Sequence, residues 1–241
     1  MPWPSAKQIL AAPFRRAADV NRQVLIDYLR TLDGVFLEVG PGDAPLLTYL
    51  DNVPTERKLV IDLPGMTERC QELGYRCFEQ DAGVDRWDLE DGAVDVVVSN
   101  QCLEHIPDTD HFISEARRVL KKNGSLLLSV PNQGALGYII LLLLTINPPM
   151  NFVSDRYYGL GNPLSNIRWL KRYGPSRAHL RLFATRAMND LLTVYGFRVV
   201  KNHGGSWGTP FLGRTLAAIM PYYGLYTIAL AQKIAGSEPS A

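Results

Sequence analysis

The stretch FLEVGPGD at residues 36–43 joins a short apolar run to a turn with two glycines, and it decides the class of fold. The carboxylate of Glu38 closes the run, and Gly40 and Gly42 have no Cβ that would keep backbone N–H groups away from a ligand. A strand that breaks into such a turn at the start of an α/β unit places a ligand at the strand's end. The stretch therefore predicts a binding site where the first strand ends.

The residues of this turn argue against a dinucleotide as the ligand. Dinucleotide folds carry G-x-G-x-x-G or G-x-G-x-x-A, whereas the sixth position here is Pro45. Glu38 also puts a negative charge where a nicotinamide cofactor would bring phosphate, and like charges at close range repel each other. A cationic ligand suits the turn better.

Composition excludes several other classes of protein. The chain has 241 residues, 46% of them hydrophobic, which is enough for one large domain with a three-layer core. Its net charge of +1, from 25 basic and 24 acidic residues, gives no electrostatic footprint for DNA or RNA, so no nucleic-acid partner is expected. Cys70, Cys77 and Cys102 lack metal-binding spacing, and we expect reduced thiols and no structural metal.

Hydropathy predicts a protein of the cytoplasm. The N-terminal residues lack the basic region and apolar run of a signal peptide. The longest purely apolar stretch, residues 138–144, is about half the roughly 20 residues that a membrane-spanning helix needs. We therefore expect no membrane-spanning helix. We expect a cytoplasmic protein, located at the inner face of the membrane if the apolar stretch contacts lipid.

Apolar periodicity predicts alternating strands and helices. Short apolar runs that read as buried strands lie at residues 35–39, 59–61, 77–78, 94–98, 125–130, 197–201 and 226–232. Helical or loop patterns lie at residues 17–32, 45–50, 66–73, 111–121 and 185–195. Asn123-Gly124 would end the helix over 111–121. The alternation predicts an α/β fold with a Rossmann-like, doubly wound sheet and helices on both faces.

The same pattern predicts one domain over residues 1–241. Within it, we expect an N-terminal helical cap at 1–33, an insertion that forms a substrate-covering lid at 132–182, and a frayed tail at 236–241.

Polar side chains at the predicted strand ends are candidates for binding a nucleoside. Asp62 ends the second strand, where a carboxylate can accept two hydrogen bonds from a ribose diol. Asp81 follows the third strand and can accept from an adenine amino group. Either aspartate could instead only cap the turn that follows it. Asp95 lies at the opposite end of its strand, and we interpret it as structural, with a neighbouring backbone amide as partner.

Several stretches together resemble one family. They are LEVGPG, the strand-end Asp62, Asp81-Ala82, VDVVVSNQCLEHIPD, RVLKKNGSLLLSVPN, and HLRLF followed by LLTVYGFRVV. In this order they resemble the type 11 branch of class I S-adenosylmethionine (SAM) methyltransferases, over roughly residues 34–203. That branch is related to ubiquinone and menaquinone pathway enzymes and to sugar and lipid methyltransferases. The resemblance implies SAM as cofactor and a seven-stranded sheet of order 3-2-1-4-5-7-6 whose last strand is antiparallel.

The resemblance also implies cofactor-binding roles for nine residues. Around the methionine moiety it places Glu38, Gly40 and Gly42. Against the ribose hydroxyls and the adenine it places Asp62, Leu63, Asp81 and Ala82. Beside the sulfonium it places Asn100 and Gln101. The chain departs from many members at Ala44, where they have a third glycine.

The segment after the fourth strand holds the candidate catalytic residues. Ubiquinone-pathway members carry Glu-x-x-Glu-His here with a divalent ion, but the first glutamate position is Gln101, a poor ligand for a hard cation, so no metal is expected. His105 and His179 are candidates to deprotonate or hydrogen-bond an acceptor hydroxyl. The alternative is that both histidines, with Glu104, only organise their loops.

An uncharged stretch at residues 123–154 provides information on the class of acceptor molecule. It contains the apolar run 138–146 and is followed by six basic residues, Arg156, Arg168, Lys171, Arg172, Arg177 and Arg181. This pattern predicts membrane-surface contact through 135–150 or a pocket for a lipid tail. A lid helix buried against the sheet or across a homodimer interface remains the alternative.

These observations favour a SAM-dependent methyltransferase whose acceptor is a hydroxyl of a lipid, a lipid-linked sugar or another amphipathic small molecule. A soluble sugar or natural-product intermediate is the alternative acceptor. A non-catalytic SAM-binding or lipid-binding, membrane-associated protein is the alternative from another class.

Overall fold

A computed structural model of the chain describes residues 6–154, 160–163, 179–206, 213–234 and 236, with side chains described from Ala17 onward except at 213 and 214. Most of the predicted insertion's basic residues, Arg156, Arg168, Lys171, Arg172 and Arg177, lie outside these ranges, as does most of the predicted tail.

Seven strands form one sheet of order β3-β2-β1-β4-β5-β7-β6, which confirms the predicted fold. The strands are β1 (Phe36–Val39), β2 (Lys58–Asp62), β3 (Arg76–Glu79), β4 (Val94–Asn100), β5 (Leu120–Pro131), β6 (Phe197–His203) and β7 (Tyr226–Lys233). β1 to β5 run parallel, and β7 pairs antiparallel with both β5 and β6.

Six α-helices are described beside the sheet, namely α1 (Ala6–Leu29), α2 (Glu68–Glu72), α3 (Thr109–Val119), α4 (Leu136–Leu143), α5 (Thr185–Val194) and α6 (Gly213–Ile219). Short 3-10 turns lie at Leu46–Tyr49, Thr55–Arg57, Leu103–His105 and Pro221–Tyr223. The predicted helix at 17–32 is the second half of α1. Helix α6 has no counterpart in the sequence prediction, because its seven residues are too few for a clear 3.6-residue period.

Apolar side chains pack on both faces of the sheet. Alternate residues of β4 point to opposite faces, so Val97 joins a cluster with Phe112 of α3, whereas Val98 joins a second cluster with Leu25 of α1. Each of these four side chains is fully buried, and burial of such a side chain contributes about 1.5 to 3 kcal/mol. The helices on both faces therefore hold the strand ends rigidly.

The boundary between α3 and β5 differs from the prediction. The helix ends at Val119, and β5 begins at Leu120, five residues before the predicted start. Leu120 pairs with Val94, and the register then shifts before Val96 meets Ser125. Asn123 lies in this shift with a φ of 62°. Asn123-Gly124 therefore forms an irregularity inside the strand, and the prediction that it ends the helix was wrong.

The two ends of the predicted insertion meet beside the sheet. Asn132 forms a parallel bridge with Phe183, and the backbone N–H of Gln133 donates to the carbonyl of Phe183 at 3.0 Å. Between them, helix α4 follows the end of β5. In the ranges that the structure describes, no helix is both long enough and apolar enough to cross a membrane.

Candidate functional site

The candidate site lies along the edge where the parallel strands β1 to β4 end. Hydrogen bonds extend the sheet just past these ends: Gly40 N–H donates to Ile61, Gln80 N–H to Asp62, and Gln101 N–H to Ser129, at 2.8 to 2.9 Å. The predicted residues after each strand are thereby aligned on one edge, which is where open α/β sheets bind ligands.

Glu38 lies beneath the glycine turn with 1% of its surface exposed. Its Oε1 accepts from the backbone N–H of Leu46 at 2.8 Å, and its Oε2 accepts from that of Leu47 at 3.1 Å. Burial raises the pKa of this carboxyl to about 7, although the two backbone hydrogen bonds oppose the rise. Glu38 therefore fastens the turn to the end of β1, a role that the sequence analysis did not foresee.

The two glycines of the turn differ in the space around their Cα atoms. Gly40 has a φ of 71°, and an added Cβ would lie 2.4 Å from Sγ of Cys102. Gly42 has a φ of 53°, and an added Cβ would meet no described atom within 4 Å. Gly40 thus permits close packing of the loop after β4, whereas Gly42 leaves open space above the turn.

Asp62 connects the glycine turn to the end of β2. Its Oδ2 accepts from Gly42 N–H and its Oδ1 from Leu63 N–H, both at 2.8 Å. The carboxylate is half-buried, and desolvation raises its pKa. Each oxygen retains a lone pair that can accept from a ribose hydroxyl. The adjacent Leu63 is 44% exposed, an apolar surface of the kind that an adenine ring covers.

Asp81 is likewise part of its own turn. Its Oδ1 accepts from Gly83 N–H at 2.9 Å, and its backbone N–H donates to Asp85 at 2.8 Å. Ala82 is buried, and its carbonyl accepts from the indole of Trp87. Turn capping, the structural alternative for Asp62 and Asp81, is therefore present at both positions and is compatible with ligand binding.

A polar network joins the ends of β4 and β5 to helix α1. Asn21 donates to Oδ1 of Asn100 at 3.0 Å and accepts from Ser129 at 2.9 Å, while the amide of Gln101 donates to Ser129 at 3.2 Å. Asn21 is 2% exposed. Gln101 has a φ of 56°, which is rare outside glycine and is frequent at functional sites. Sequence reasoning missed Asn21, whose only signal was a polar residue on the apolar face of α1.

Glu104, His105 and His179 come together although they are distant in sequence. Their potential ligand atoms all lie within 4.8 Å of one another. Glu104 is fully buried, and neither of its carboxylate oxygens has a hydrogen-bond partner among the described residues. Burial raises the pKa of Glu104 to about 8.

The two imidazole rings of this cluster pack edge to face, with centroids 5.0 Å apart. Nδ1 of His179 lies 3.1 Å from the carbonyl oxygen of Met150, and its ring contacts that of Phe152 at 4.9 Å between centroids. Burial, followed by the charge of His105, lowers the pKa of His179 to about 4. His179 is therefore neutral near pH 7.

Asp95 lies at the opposite edge of the sheet from this site. Its Oδ2 accepts from Val35 N–H and from Lys121 Nζ, both at 2.8 Å. The structural interpretation, with a backbone amide as partner, is confirmed.

Helix α4 presents an apolar surface next to the site. Tyr138 is 6% exposed and anchors the helix. Four other side chains of the helix and its C-terminal end point outward with 47 to 78% of their surface exposed, namely Ile140, Leu142, Leu143 and Leu144. Tyr138 is buried, whereas these four side chains are too exposed for the predicted alternative of a fully buried lid helix.

A family model described as "Methyltransferase domain" matches residues 13–202. A "Probable S-adenosylmethionine-dependent methyltransferase" of Mycolicibacterium smegmatis is 49% identical over 45 residues, which are 19% of this chain and 18% of that protein. The chain thus matches less than a fifth of this relative's length.

Solved structures share the fold at low sequence identity. A SAM-dependent methyltransferase of Thermotoga maritima aligns with a TM-score of 0.60 at 15% identity, covering 94% of each chain. A SAM-dependent methyltransferase of Mesorhizobium loti aligns with a TM-score of 0.52 at 12% identity, covering 85% of this chain and 93% of the other.

Proposed function

Because the chain belongs to the family of methyltransferase domains, we propose that it transfers a methyl group from SAM to a hydroxyl of a lipid, a lipid-linked sugar or another amphipathic small molecule. The main support for this proposal comes from Glu38, Gly42, Asp62 and Asp81 at the carboxyl ends of the strands. Each of these residues is held by hydrogen bonds in the loop that follows its strand. The finer choice of acceptor is supported by the exposed apolar surface of α4.

The residues at this edge fit SAM. Gly42 leaves space into which a ligand can approach backbone N–H groups, and Asp62 can accept from its ribose. The carboxylates of Asp62 and Asp81 at neighbouring strand ends favour a cofactor that carries positive charge. When bound, SAM supplies a methyl group made electrophilic by its sulfonium.

The chain's own contribution to such a transfer is positioning. An in-line displacement needs the acceptor oxygen held about 3 to 3.5 Å from the methyl carbon. The network of Asn21, Asn100, Gln101 and Ser129 gives the wall beside the methyl group a fixed shape, because each side chain has a hydrogen-bonded partner. A rigid wall lets binding energy orient the two reactants.

His105 and His179 are proposed to face the acceptor. If Nδ1 of His179 donates to Met150, then Nε2 of the neutral ring carries the free lone pair and can accept a hydrogen bond from a hydroxyl. A pKa of about 4 makes His179 a weak base, so orientation of the acceptor is a better role for it than proton removal. His105 lies beside it at the end of the loop after β4. Turnover unchanged by both His105→Ala and His179→Ala would exclude a chemical role for either residue.

Calorimetry with SAM and S-adenosylhomocysteine tests the cofactor part of the proposal. The wild type is expected to bind both, and Asp62→Asn is expected to weaken both because it removes the charge and one acceptor. Asp33→Asn is the matched control, since Asp33 is an exposed carboxylate before the start of β1, at the opposite end of that strand, and its loss should leave affinity nearly unchanged. Absence of binding by the wild type would refute the proposed function.

The acceptor is tested with labelled SAM in cell extract. Extract is incubated with the protein and with methyl-labelled SAM. It is then separated into organic-soluble and aqueous fractions. Label in an organic-soluble product supports an amphipathic acceptor. Label confined to an aqueous product would instead identify a soluble sugar or natural-product intermediate, and cofactor binding with no labelled product in either fraction would favour a non-catalytic protein.

We further propose that residues 135–150 rest on a membrane surface while the acceptor is bound. Ile140, Leu142, Leu143 and Leu144 form the apolar contact, and helix α4 is too short to span the bilayer. Arg181, at the end of the inserted segment, donates from Nη1 to the carbonyls of Ile106 and Pro107, and its other guanidinium N–H groups can meet anionic headgroups. The alternative is that a second copy of the chain covers the same surface.

A further inference from the structure

We propose that Glu104, His105 and His179 form a binding site for a divalent transition-metal ion such as Zn²⁺. Metal binding at this cluster does not depend on methyl transfer, whereas a role for the ion in holding an acceptor oxygen rests on the proposed function.

The first observation is the state of Glu104. Its carboxylate is fully buried, and both oxygens lack a hydrogen-bond partner among the described residues. A buried carboxylate of this kind destabilises the protein unless a proton or a positive charge compensates it. Among the described residues, the imidazoles of His105 and His179 lie beside it, and a metal ion between the three groups would supply the charge.

The second observation is the donor set. One carboxylate and two imidazoles are the ligands that zinc and other first-row transition metals bind in open sites. The three ligand atoms lie within 4.8 Å of one another, so small side-chain rotations bring all of them to the roughly 2.0 to 2.2 Å that zinc requires. Three protein ligands leave at least one coordination position for water or an acceptor oxygen.

The third observation is the orientation of His179. The carbonyl of Met150 can only accept, so its 3.1 Å contact with Nδ1 places the proton on Nδ1 and leaves the Nε2 lone pair for the ion. With the ion bound, the acceptor oxygen would be held by the ion in place of a direct hydrogen bond to Nε2. Imidazoles that bind metals commonly donate their other ring N–H to a backbone carbonyl in this manner.

The sequence prediction of no metal rested on Gln101, which stands at the first glutamate position of Glu-x-x-Glu-His. The structure shows a different third residue beside Glu104 and His105. The side-chain amide of Gln101 donates to Ser129 at 3.2 Å. His179, which arrives from the far end of the inserted segment, takes the place of a third ligand. The resulting set is richer in nitrogen than a site for Mg²⁺ or Ca²⁺.

The test is metal titration of the 241-residue chain, produced without a histidine tag and stripped with a chelator. Zn²⁺ binding is measured by competition with a chromophoric chelator, and Co²⁺ binding by its visible absorption. We expect one ion per chain, a rise in Tm on adding Zn²⁺, and little competition from an equal concentration of Mg²⁺. Glu104→Gln, His105→Asn and His179→Asn should each weaken Zn²⁺ binding by about tenfold or more.

His111→Asn is the matched control, because His111 lies on α3 and its Nε2 contacts the carbonyl of Asp85. S-adenosylhomocysteine affinity, measured on every variant, reports whether the fold and the cofactor site are intact. Metal binding lost in a variant that retains this affinity supports the site. Wild-type protein that binds S-adenosylhomocysteine but no Zn²⁺ or Co²⁺, or metal binding unaffected by all three substitutions, would overturn the inference and leave the proposed function standing.

Discussion

The side-chain amide of Asn21 donates a 3.0 Å hydrogen bond to Oδ1 of Asn100, which joins helix α1 to the end of β4. Ser129 at the end of β5 donates to the same Asn21 side chain at 2.9 Å. One buried residue of α1 thus sets the positions of two strand ends that border the proposed methyl-transfer site. Helix α1 is therefore part of the site's support as well as a cover for the sheet.

Asn21→Ala should destabilise the protein and weaken cofactor binding. The substitution removes one hydrogen-bond partner from the half-buried Asn100 and one from the buried Ser129, which costs about 1 to 3 kcal/mol. Urea unfolding measures the stability, and calorimetry with S-adenosylhomocysteine measures the affinity. Asn52→Ala, at an exposed turn position, should change stability by no more than about 0.5 kcal/mol. Equal effects of the two substitutions would contradict the role assigned to Asn21.

Gly42→Leu should abolish most cofactor affinity. The backbone at Gly42 has a φ of 53°, so a side chain is strained there by about 1 to 2 kcal/mol, and it would project into the open space above the turn. Gly92→Leu carries a comparable strain at a φ of 68° at the opposite edge of the sheet. We expect similar losses in Tm, but a fall in SAM affinity of at least about tenfold only for Gly42→Leu. Retained affinity in that variant would mean that the ligand does not lie over Gly42.

Glu38 should make stability depend on pH in a predictable direction. Its pKa is about 7 in the folded protein and close to the ordinary glutamate value of 4.5 when unfolded, so the folded state binds the proton more tightly. Its contribution to stability is therefore fully present below about pH 4.5 and is lost as the pH rises to about 7. Glu38→Gln does not titrate.

The free energy of unfolding of the wild type minus that of Glu38→Gln should consequently be smaller at pH 8 than at pH 5. Urea unfolding of both proteins at the two pH values measures this difference, and titration of all other groups cancels in it. A difference that grows toward pH 8 would show that the buried carboxyl is favoured in its ionised form.

Leu143→Ser combined with Ile140→Ser should reduce flotation with anionic liposomes without lowering Tm. Leu143 is 78% and Ile140 is 50% exposed, so neither contributes much to the core. Each buried leucine-sized side chain is worth about 1.5 to 3 kcal/mol in lipid, which predicts a decrease in partitioning of about tenfold or more.

Val200→Ser is the control for flotation, because Val200 is 56% exposed on edge strand β6, away from α4. It should leave the membrane-bound fraction unchanged. If the α4 variant floats like the wild type, the membrane proposal fails. A shift of the α4 variant from dimer to monomer in gel filtration would instead identify a second copy of the chain as the partner of this surface.

The strands could be predicted from local sequence, and their order followed from the family resemblance. Apolar runs mark the strands because buried parallel strands need continuous hydrophobic residues, and Glu38, Asp62 and Asp81 lie at their ends because ligand contacts in such sheets come from these positions. The start of β5 was missed because Leu120 continues the apolar period of α3, while its pairing with Val94 is a contact between distant residues.

Other features depend on residues that are far apart in the chain. The bonds of Glu38 to Leu46 and Leu47, the link from Asn21 to Asn100, and the exposure of α4 could not be read from local patterns. Hydrogen-bond partners and burial are decided by which elements pack together, and a single sequence does not report that packing.

By itself the sequence determined the fold class, the strand order through its family resemblance, and the turn at residues 36–43 that indicates a cationic nucleoside cofactor. These properties follow from hydrophobic period and from residue chemistry at strand ends, which are local. Only the tertiary structure brought His179 to Glu104 and His105, because the chain returns to the end of β4 after the inserted segment. The three groups can bind one ion or one substrate oxygen only because the chain returns to this place. Coordination and hydrogen bonding require atoms within a few ångströms of one another, whatever the separation of the residues in the sequence.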